Sequence, residues 1–277
     1  MKLVAAADRV REELAKTRRN PRRIMRLRER KYRRLLYTSF TGTPGAWRTD
    51  SDAAMRTRAY ASYDDYLRHQ QSKPGEIRFT DHDDELCAAL AARLRDDGVP
   101  AGSAALCLGA RFGGEVRAFR SAGCFAVGID LRTAPESKEV LYGDFQDVQF
   151  PDDCVDFVYT NSLDHAYDIT VVLSEIARVL KPSGQLIVDA VRGAEEDHPP
   201  GMWECFYWST TDDLVDLLRE NGFTLVHRAP FVEPWDGEHL RFTLPSCVSG
   251  PSRFPSSTRR SSRRGARVPG RSASGGS

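Results

Sequence analysis

No apolar run in the 277-residue sequence approaches the roughly 18–20 residues needed to cross a bilayer. The basic N-terminal stretch has neither the apolar segment nor the small-residue cleavage site of a secretory leader, so a cytoplasmic location is expected. Six cysteines, Cys87, Cys107, Cys124, Cys154, Cys205 and Cys247, are scattered, and none stands in a C-x-x-C pair. That spacing signals neither a zinc site nor a disulfide framework; reduced, mostly buried thiols and no metal are expected. Two nucleotide signatures are missing as well: there is no G-x-G-x-x-G and no G-K-[ST].

The formal net charge of +1 conceals a division. Residues 1–34 carry 14 Lys or Arg against 4 Asp or Glu, and residues 248–277 carry 7 Arg and no acid. The body between them keeps 19 basic and 35 acidic residues. Basic ends can contact nucleic acid, anionic lipid or the acidic body, or simply be solvated. From Pro245 onward the chain is Ser, Arg, Gly and Pro with almost no apolar side chains. Such a segment cannot bury enough surface to offset its ordering entropy, and a disordered tail over 248–277 is expected.

Residues 1–36 read as two helices broken at Asn20-Pro21, where Pro21 suits a first helical position. Residues 40–51 read as a turn-rich linker and 52–72 as a helix. Tyr60, Tyr63, Tyr66 and Leu67 make one aromatic face on that helix, fit for core packing or for covering a cleft. Residues 1–80 are thus expected to form a basic helical extension, and 81–247 the main domain. Asp81–Asp97 is an amphipathic helix stopped by Gly98-Val99-Pro100. Strands then alternate with helices: strands over 104–108, 124–130, 139–142, 155–161 and 185–191, helices over 113–122, 168–180 and 211–220. The last two strands, 223–228 and 240–244, leave no room for a crossover helix and should pair antiparallel. The expected fold is α/β, Rossmann-like: a mostly parallel seven-stranded sheet with an antiparallel last strand, covered on both faces.

In such a sheet, ligands bind beyond the carboxyl ends of the strands where strand order reverses. The residues following each strand are therefore the candidates. Gly109, Ala110, Arg111 and Gly113 follow the first strand. Arg111 is too bulky for close approach of a pyrophosphate, which argues against a dinucleotide. Asp130, with Leu131 beside it, follows the second, about 20 residues past the glycines, where a carboxylate can accept from both hydroxyls of a ribose. Asp144-Phe145 after the third suits an adenine, the acid taking the amine and the ring packing on the base. Asn161, Ser162, Leu163, Asp164 and His165 follow the fourth.

These motifs, in this order, resemble a class I S-adenosylmethionine-dependent methyltransferase of the methyltransferase type 11 kind. Leu106–Gly113 is similar to the family's glycine motif, Gly128-Ile129-Asp130 to its second-strand acid, and Gly143-Asp144-Phe145 to its third-strand position. Phe150–Val158 and Glu175–Gln185 are similar to the approaches to its fourth and fifth strands. The resemblance covers roughly 81–245. It departs at Cys107, where the commonest form has an acid two places before the first glycine. The resemblance implies S-adenosylmethionine as cofactor: its methionine end over Gly109–Gly113, its ribose on Asp130, its adenine near Asp144 and Phe145. It also implies methyl transfer by in-line attack, the protein mainly positioning the nucleophile.

His165 and Asp164 are the candidates for a general base; His165 has a suitable unperturbed pKa of about 6.5, and its alternative role is to shape the cofactor pocket. The segment Asp197–Trp208, with His198, Trp203, Glu204, Phe206, Tyr207 and Trp208, can wall an acceptor pocket or anchor a long loop. Asn161-Ser162-Leu163-Asp164 does not fit the nucleobase N-methylases, and Tyr63–Lys73 resembles a segment preceding methyltransferase domains near surface-sugar gene sets. A small-molecule or sugar acceptor is therefore expected ahead of nucleic acid, with O-methylation first. The alternatives are a non-catalytic protein of the same fold that docks a partner, and an RNA or protein methyltransferase held by the basic helices.

Overall fold

The computed structural model describes residues 47–48, 54–73, 80–133, 137–196, 198 and 200–245. The helices expected over 1–36 and the tail expected over 248–277 lie outside the described residues. Chain order is β1 Trp47–Arg48, β2 Met55–Arg58, α1 Tyr63–Gln71, α2 Thr80–Asp96, β3 Ala104–Leu108, α3 Gly114–Ser121, β4 Phe125–Asp130 and β5 Val140–Tyr142. Then come β6 Val155–Thr160, α4 Ile169–Val179, β7 Leu180–Val191, β8 Phe206–Trp208, α5 Thr211–Glu220, β9 Thr224–Phe231 and β10 Gly237–Thr243.

Seven strands form one sheet in the order β5-β4-β3-β6-β7-β10-β9. All neighbouring pairs are parallel except those made by β10, which runs antiparallel to both β7 and β9. The Rossmann-like α/β expectation and the final hairpin are both met. Strand order reverses at β3, which pairs with β4 on one side and β6 on the other. No helix among the described residues is long and apolar enough to cross a membrane.

The strands bury both faces, and their period of two divides the core. Leu106 and Leu108 of β3 point into one cluster with Val158, Val172, Ile176, Leu214 and Phe242. Ala105 and Cys107 point into the other, with Leu90, Leu94, Val116, Phe119 and Tyr159. Side chains seal the helix starts. Asp168 accepts from the amides of Thr170 and Val171 to open α4, and Thr210 with Asp213 forms a capping box on α5. Lys181 to Gly184, expected as a turn, are taken up within β7 as a register shift against β6: Leu180 faces Val155 and Gln185 faces Phe157.

The helix expected over 52–72 is the main correction. Only its second part is helical. Met55–Arg58 is a strand, paired with β8 in the register Met55↔Trp208, Arg56↔Tyr207, Thr57↔Phe206. A partner some 150 positions away in sequence supplies its backbone hydrogen bonds, which local periodicity cannot signal. Arg58, 1 % exposed, extends the link: its Nε donates to the carbonyl of Glu204 at 2.9 Å, and its guanidinium lies over the Trp47 ring. Tyr66, 0 % exposed, is packed on Tyr60, Tyr63 and Tyr167.

A buried charge network ties α2 to the sheet. Asp189 of β7 accepts from Arg93 of α2 (2.6 Å) and from the Tyr159 hydroxyl of β6 (2.7 Å). His239 of β10 bridges Asp189 (2.5 Å) and Asp97 (2.9 Å), and Arg241 donates to Asp97 at 2.8 Å. Burial acts to lower the His239 pKa, but the two carboxylates outweigh it and raise it above the ordinary 6.5. Burial acts to raise both carboxyls; the His239 bonds, with Arg93 or Arg241, bring them below the ordinary 3.8. The contribution of His239 is therefore whole below pH 6.5 and is lost as pH rises through its elevated value. That of the two aspartates holds above pH 3.8 and fades as pH falls through their lowered values. His239→Ala should cost about 3–5 kcal/mol by stranding two buried carboxylates, and should flatten the alkaline limb of stability against pH. Urea melts at a series of pH values read both effects.

Candidate active site

A cavity opens at the carboxyl ends of β3, β4 and β6, at the reversal of strand order, as the topology requires. Of the residues singled out in the sequence, Gly109, Arg111, Asp130, Leu131, Phe145 and His165 line it. Gly109 turns the chain at φ +75°, and a Cβ there would lie 2.7 Å from the Cβ and Oγ of Ser162, so the backbone stays bare against the β6 loop. The carboxylate of Asp130 accepts from the amide of Arg111 (3.1 Å) on one oxygen and of Arg132 (2.6 Å) on the other. Each oxygen retains a lone pair, so two hydroxyl donors can still be accepted. Burial raises its pKa despite these bonds and the nearby charges of Lys73 and Arg111.

Other expected site residues stand behind the wall rather than in it. Ala110, 1 % exposed, belongs to the core, where it fills the space a Cβ on Gly128 would need. Gly113 ends the loop at φ +85° and donates to the carbonyl of Ala110 at 2.5 Å. Asp144 accepts from the Tyr63 hydroxyl on one oxygen and from the amide of Gln146 (2.9 Å) on the other. Asn161 donates to Glu115 at 3.1 Å and accepts from Ser162 at 2.9 Å.

Four backbone amides of the Gly109–Gly113 loop are bonded within the protein. The amides of Gly109 and Ala110 donate to the carbonyl of Ile129, that of Arg111 to Asp130, and that of Gly113 to Ala110. The amide of Gly114, opening α3, donates to Asp83 of α2 at 3.0 Å, and Arg117 pairs with the same carboxylate. The first turn of α3, where a pyrophosphate would dock, is capped from within. Charged side chains line the cavity instead: Arg111, and two that the sequence did not single out, Lys73 and Arg132. Lys73 follows α1 and is half-buried; burial lowers its pKa against the pull of Asp130, Asp164 and Glu204. Its signal in the sequence was its place at the end of the aromatic helix, whose Tyr66 and Gln70 also line the cavity.

The β6 loop brings the two candidate bases together. His165 donates from Nδ1 to the carbonyl of Trp203 (2.9 Å), which leaves Nε2 as an acceptor. Burial, then Lys73, holds its pKa well below the ordinary 6.5. Asp164, 8 % exposed, lies beside it, with Oδ1 3.9 Å from Nε2; burial and then Glu204 push its carboxyl up to about 8. The segment over 197–208 divides in two; Asp197 lies outside the described residues. Phe206, Tyr207 and Trp208 are core anchors, each at most 3 % exposed, with Tyr207 donating to the carbonyl of Arg192 and Trp208 to that of Val191. His198 bonds through its amide to Gly193. Trp203 and Glu204 stand behind the cavity, the carbonyl of Trp203 accepting from His165 and that of Glu204 from Arg58. Cys205 is held by Tyr60 and Gln70, each 2.8 Å from its sulfur, and burial pushes its thiol up to about 11, so it is no nucleophile at neutral pH.

Cys107 is 0 % exposed and faces the core, where burial and then the Glu115 carboxyl raise its pKa. Glu115, 5 % exposed, has its own carboxyl pushed up by burial to about 7. Cys107→Asp therefore adds a second buried acid next to the first. It should lower stability by about 3–5 kcal/mol, read as a fall in melting temperature, without strengthening ligand binding. Gly109→Ala should cost more than about 1 kcal/mol through its positive φ and the Ser162 contact, and should close the cavity floor. Thermal melts and ligand titration of that variant test both.

Residues 106–188 match the family model described as methyltransferase domain. No curated protein matches the chain. Among solved structures, 1,6-didemethyltoxoflavin-N1-methyltransferase of Burkholderia thailandensis, with bound 1,6-didemethyltoxoflavin and S-adenosylhomocysteine, is similar at a TM-score of 0.55. It is 19 % identical, over 69 % of this chain and 96 % of that one. A chain of the complex between the Haloferax volcanii Trm112 methyltransferase activator and a methyltransferase is similar at 0.50, with 18 % identity over 65 % and 97 %. The reversed β10, the switch point at β3 and the glycine turn agree with these likenesses: residues 106–188 match the methyltransferase domain model, and the sheet has the Rossmann-like fold of class I S-adenosylmethionine-dependent methyltransferases.

Proposed function

We propose that the protein transfers a methyl group from S-adenosylmethionine to a small-molecule acceptor. The observation that carries this reading is Asp130: a buried carboxylate at the switch point, fixed by two backbone amides, with a lone pair left on each oxygen. It would hold the ribose hydroxyls. Phe145, 6 % exposed and lining the cavity, offers the base an apolar face. Asp144 keeps its place beside that face through Tyr63, which ties α1 to the adenine end. The cationic side chains of Lys73 and Arg111 would take the methionine carboxylate, because the loop amides are already bonded.

When bound, S-adenosylmethionine supplies an activated methyl group; the protein supplies position and a dry wall. Tyr66, Gln70 and His165 also line the cavity and would help exclude water from the acceptor. The neighbour from Burkholderia acts on a ring nitrogen of a small molecule, which supports a small acceptor here. Oxygen is the acceptor atom expected from sequence, and the charge of the acceptor wall bears on that choice.

Calorimetry with S-adenosylhomocysteine tests the reading. Binding should be measurable, and Asp130→Ala should weaken it by on the order of tenfold to a hundredfold, the loss of charge-assisted bonds to two hydroxyls. Absence of binding at millimolar ligand in the folded protein would sink the proposal.

A further inference from the structure

Beside the cavity, three polar atoms among the described residues are buried and bonded to nothing: Oδ1 of Asp164, Oε2 of Glu204 and Nε1 of Trp203. The two carboxylates are held near each other by the backbone, since the amide of Cys205 donates to the carbonyl of Asp164 at 2.6 Å. Burial and then Glu204 hold the Asp164 carboxyl up at about 8, and Lys73 is a cation that acts on both acids. His165 adds a third acceptor, Nε2, because its Nδ1 hydrogen is spent on Trp203. This end of the site thus holds unpaired acceptors on two acidic side chains, with the Trp203 indole N–H as an unpaired donor and Lys73 as the shared cation. Leaving buried acceptors empty costs about 1–3 kcal/mol each, more when they are ionised, so the arrangement persists only with a guest or a proton to meet it.

We propose that the acceptor is an amine, which enters as its ammonium ion and is held between Asp164 and Glu204 beside His165. The inference rests on the methyl-transfer reading above. If Lys73 turns to the carboxylate of the cofactor, the acid pair loses the cation it shares, and an ammonium replaces it. Three N–H groups can serve Asp164, Glu204 and His165 Nε2 together, whereas an alcohol brings one O–H and no charge. A carboxylate or phosphate at this place meets two like charges. The ring of Tyr66, packed with Tyr63 and Tyr167, gives the wall an aromatic surface suited to the carbons next to the nitrogen.

The ammonium must lose a proton to become a nucleophile. Passage of that proton to Oδ1 of Asp164 breaks one N–H bond, forms one O–H bond and leaves the nitrogen its lone pair. Asp164, raised to about 8, is in its ionised form a stronger proton acceptor than His165, held well below its ordinary value, so the proton transfer grows as pH rises through that value. The expectation of a base from the β6 loop is kept, with the role moved from the imidazole to the carboxylate.

The test uses the full chain saturated with S-adenosylhomocysteine, titrated in a calorimeter with tyramine and with tyrosol, its alcohol counterpart. Tyramine should bind tighter by about tenfold or more. Glu204→Gln and Asp164→Asn, both close in shape to the native residue, should each remove that preference while melting temperature and S-adenosylhomocysteine binding stay. Equal or tighter binding of tyrosol, a preference that survives both substitutions, or no tyramine binding overturns the amine assignment and leaves the methyl-transfer reading standing. Failure of S-adenosylhomocysteine itself to bind overturns that reading, and the amine assignment with it.

Discussion

The molecule depends on the reversal of strand order at β3. With β4 on one side and β6 on the other, the loops after these strands diverge and leave a crevice that no side chain of the sheet fills. The close approach of Gly109 to Ser162 marks its floor, and the fixed carboxylate of Asp130 marks one wall. Burial on both faces of the sheet makes this geometry rigid, because each strand of the crevice contributes alternate residues to two separate cores.

Around this crevice the protein spends its polar groups unevenly. On the cofactor side nearly everything is satisfied from within: the loop amides by Ile129, Asp130 and Ala110, the start of α3 by Asp83, and Asp144 by Tyr63. On the acceptor side Asp164, Glu204 and Trp203 keep buried atoms without partners. Satisfied networks fix a shape, while unsatisfied ones are places where a ligand or a proton is needed. The contrast separates a pocket floor fixed by its own hydrogen bonds from a wall whose buried acids lack partners. In the Asp97–His239–Asp189 network every carboxylate and the imidazole are bonded, and it anchors α2 on β7 and β10.

Much of this was legible in the chain. Strands β3, β4 and β6, the helices α3 to α5 and the closing hairpin followed from apolar runs, caps and glycines, which are local signals. The place of Asp130 followed from its spacing to the glycines. What the sequence could not show is which distant segments complete the site. β2 and β8 lacked a strand signal because their hydrogen bonds come from each other, and the place of Lys73 at the end of α1 pointed to the cavity only once Tyr66 and Arg58 had tied that segment to the β6 loop and to Glu204.

By itself, then, the sequence determined the class of fold and the place of Asp130 at the end of β4, since both rest on periodicity and on short spacings along one chain. Only the tertiary structure decided that the loop amides are already bonded, that Cys107 faces the core beside Glu115, and that Asp164 rather than His165 carries the raised pKa. Burial and neighbouring charge set those outcomes, and both are properties of residues far apart in sequence brought within a few ångströms by the fold.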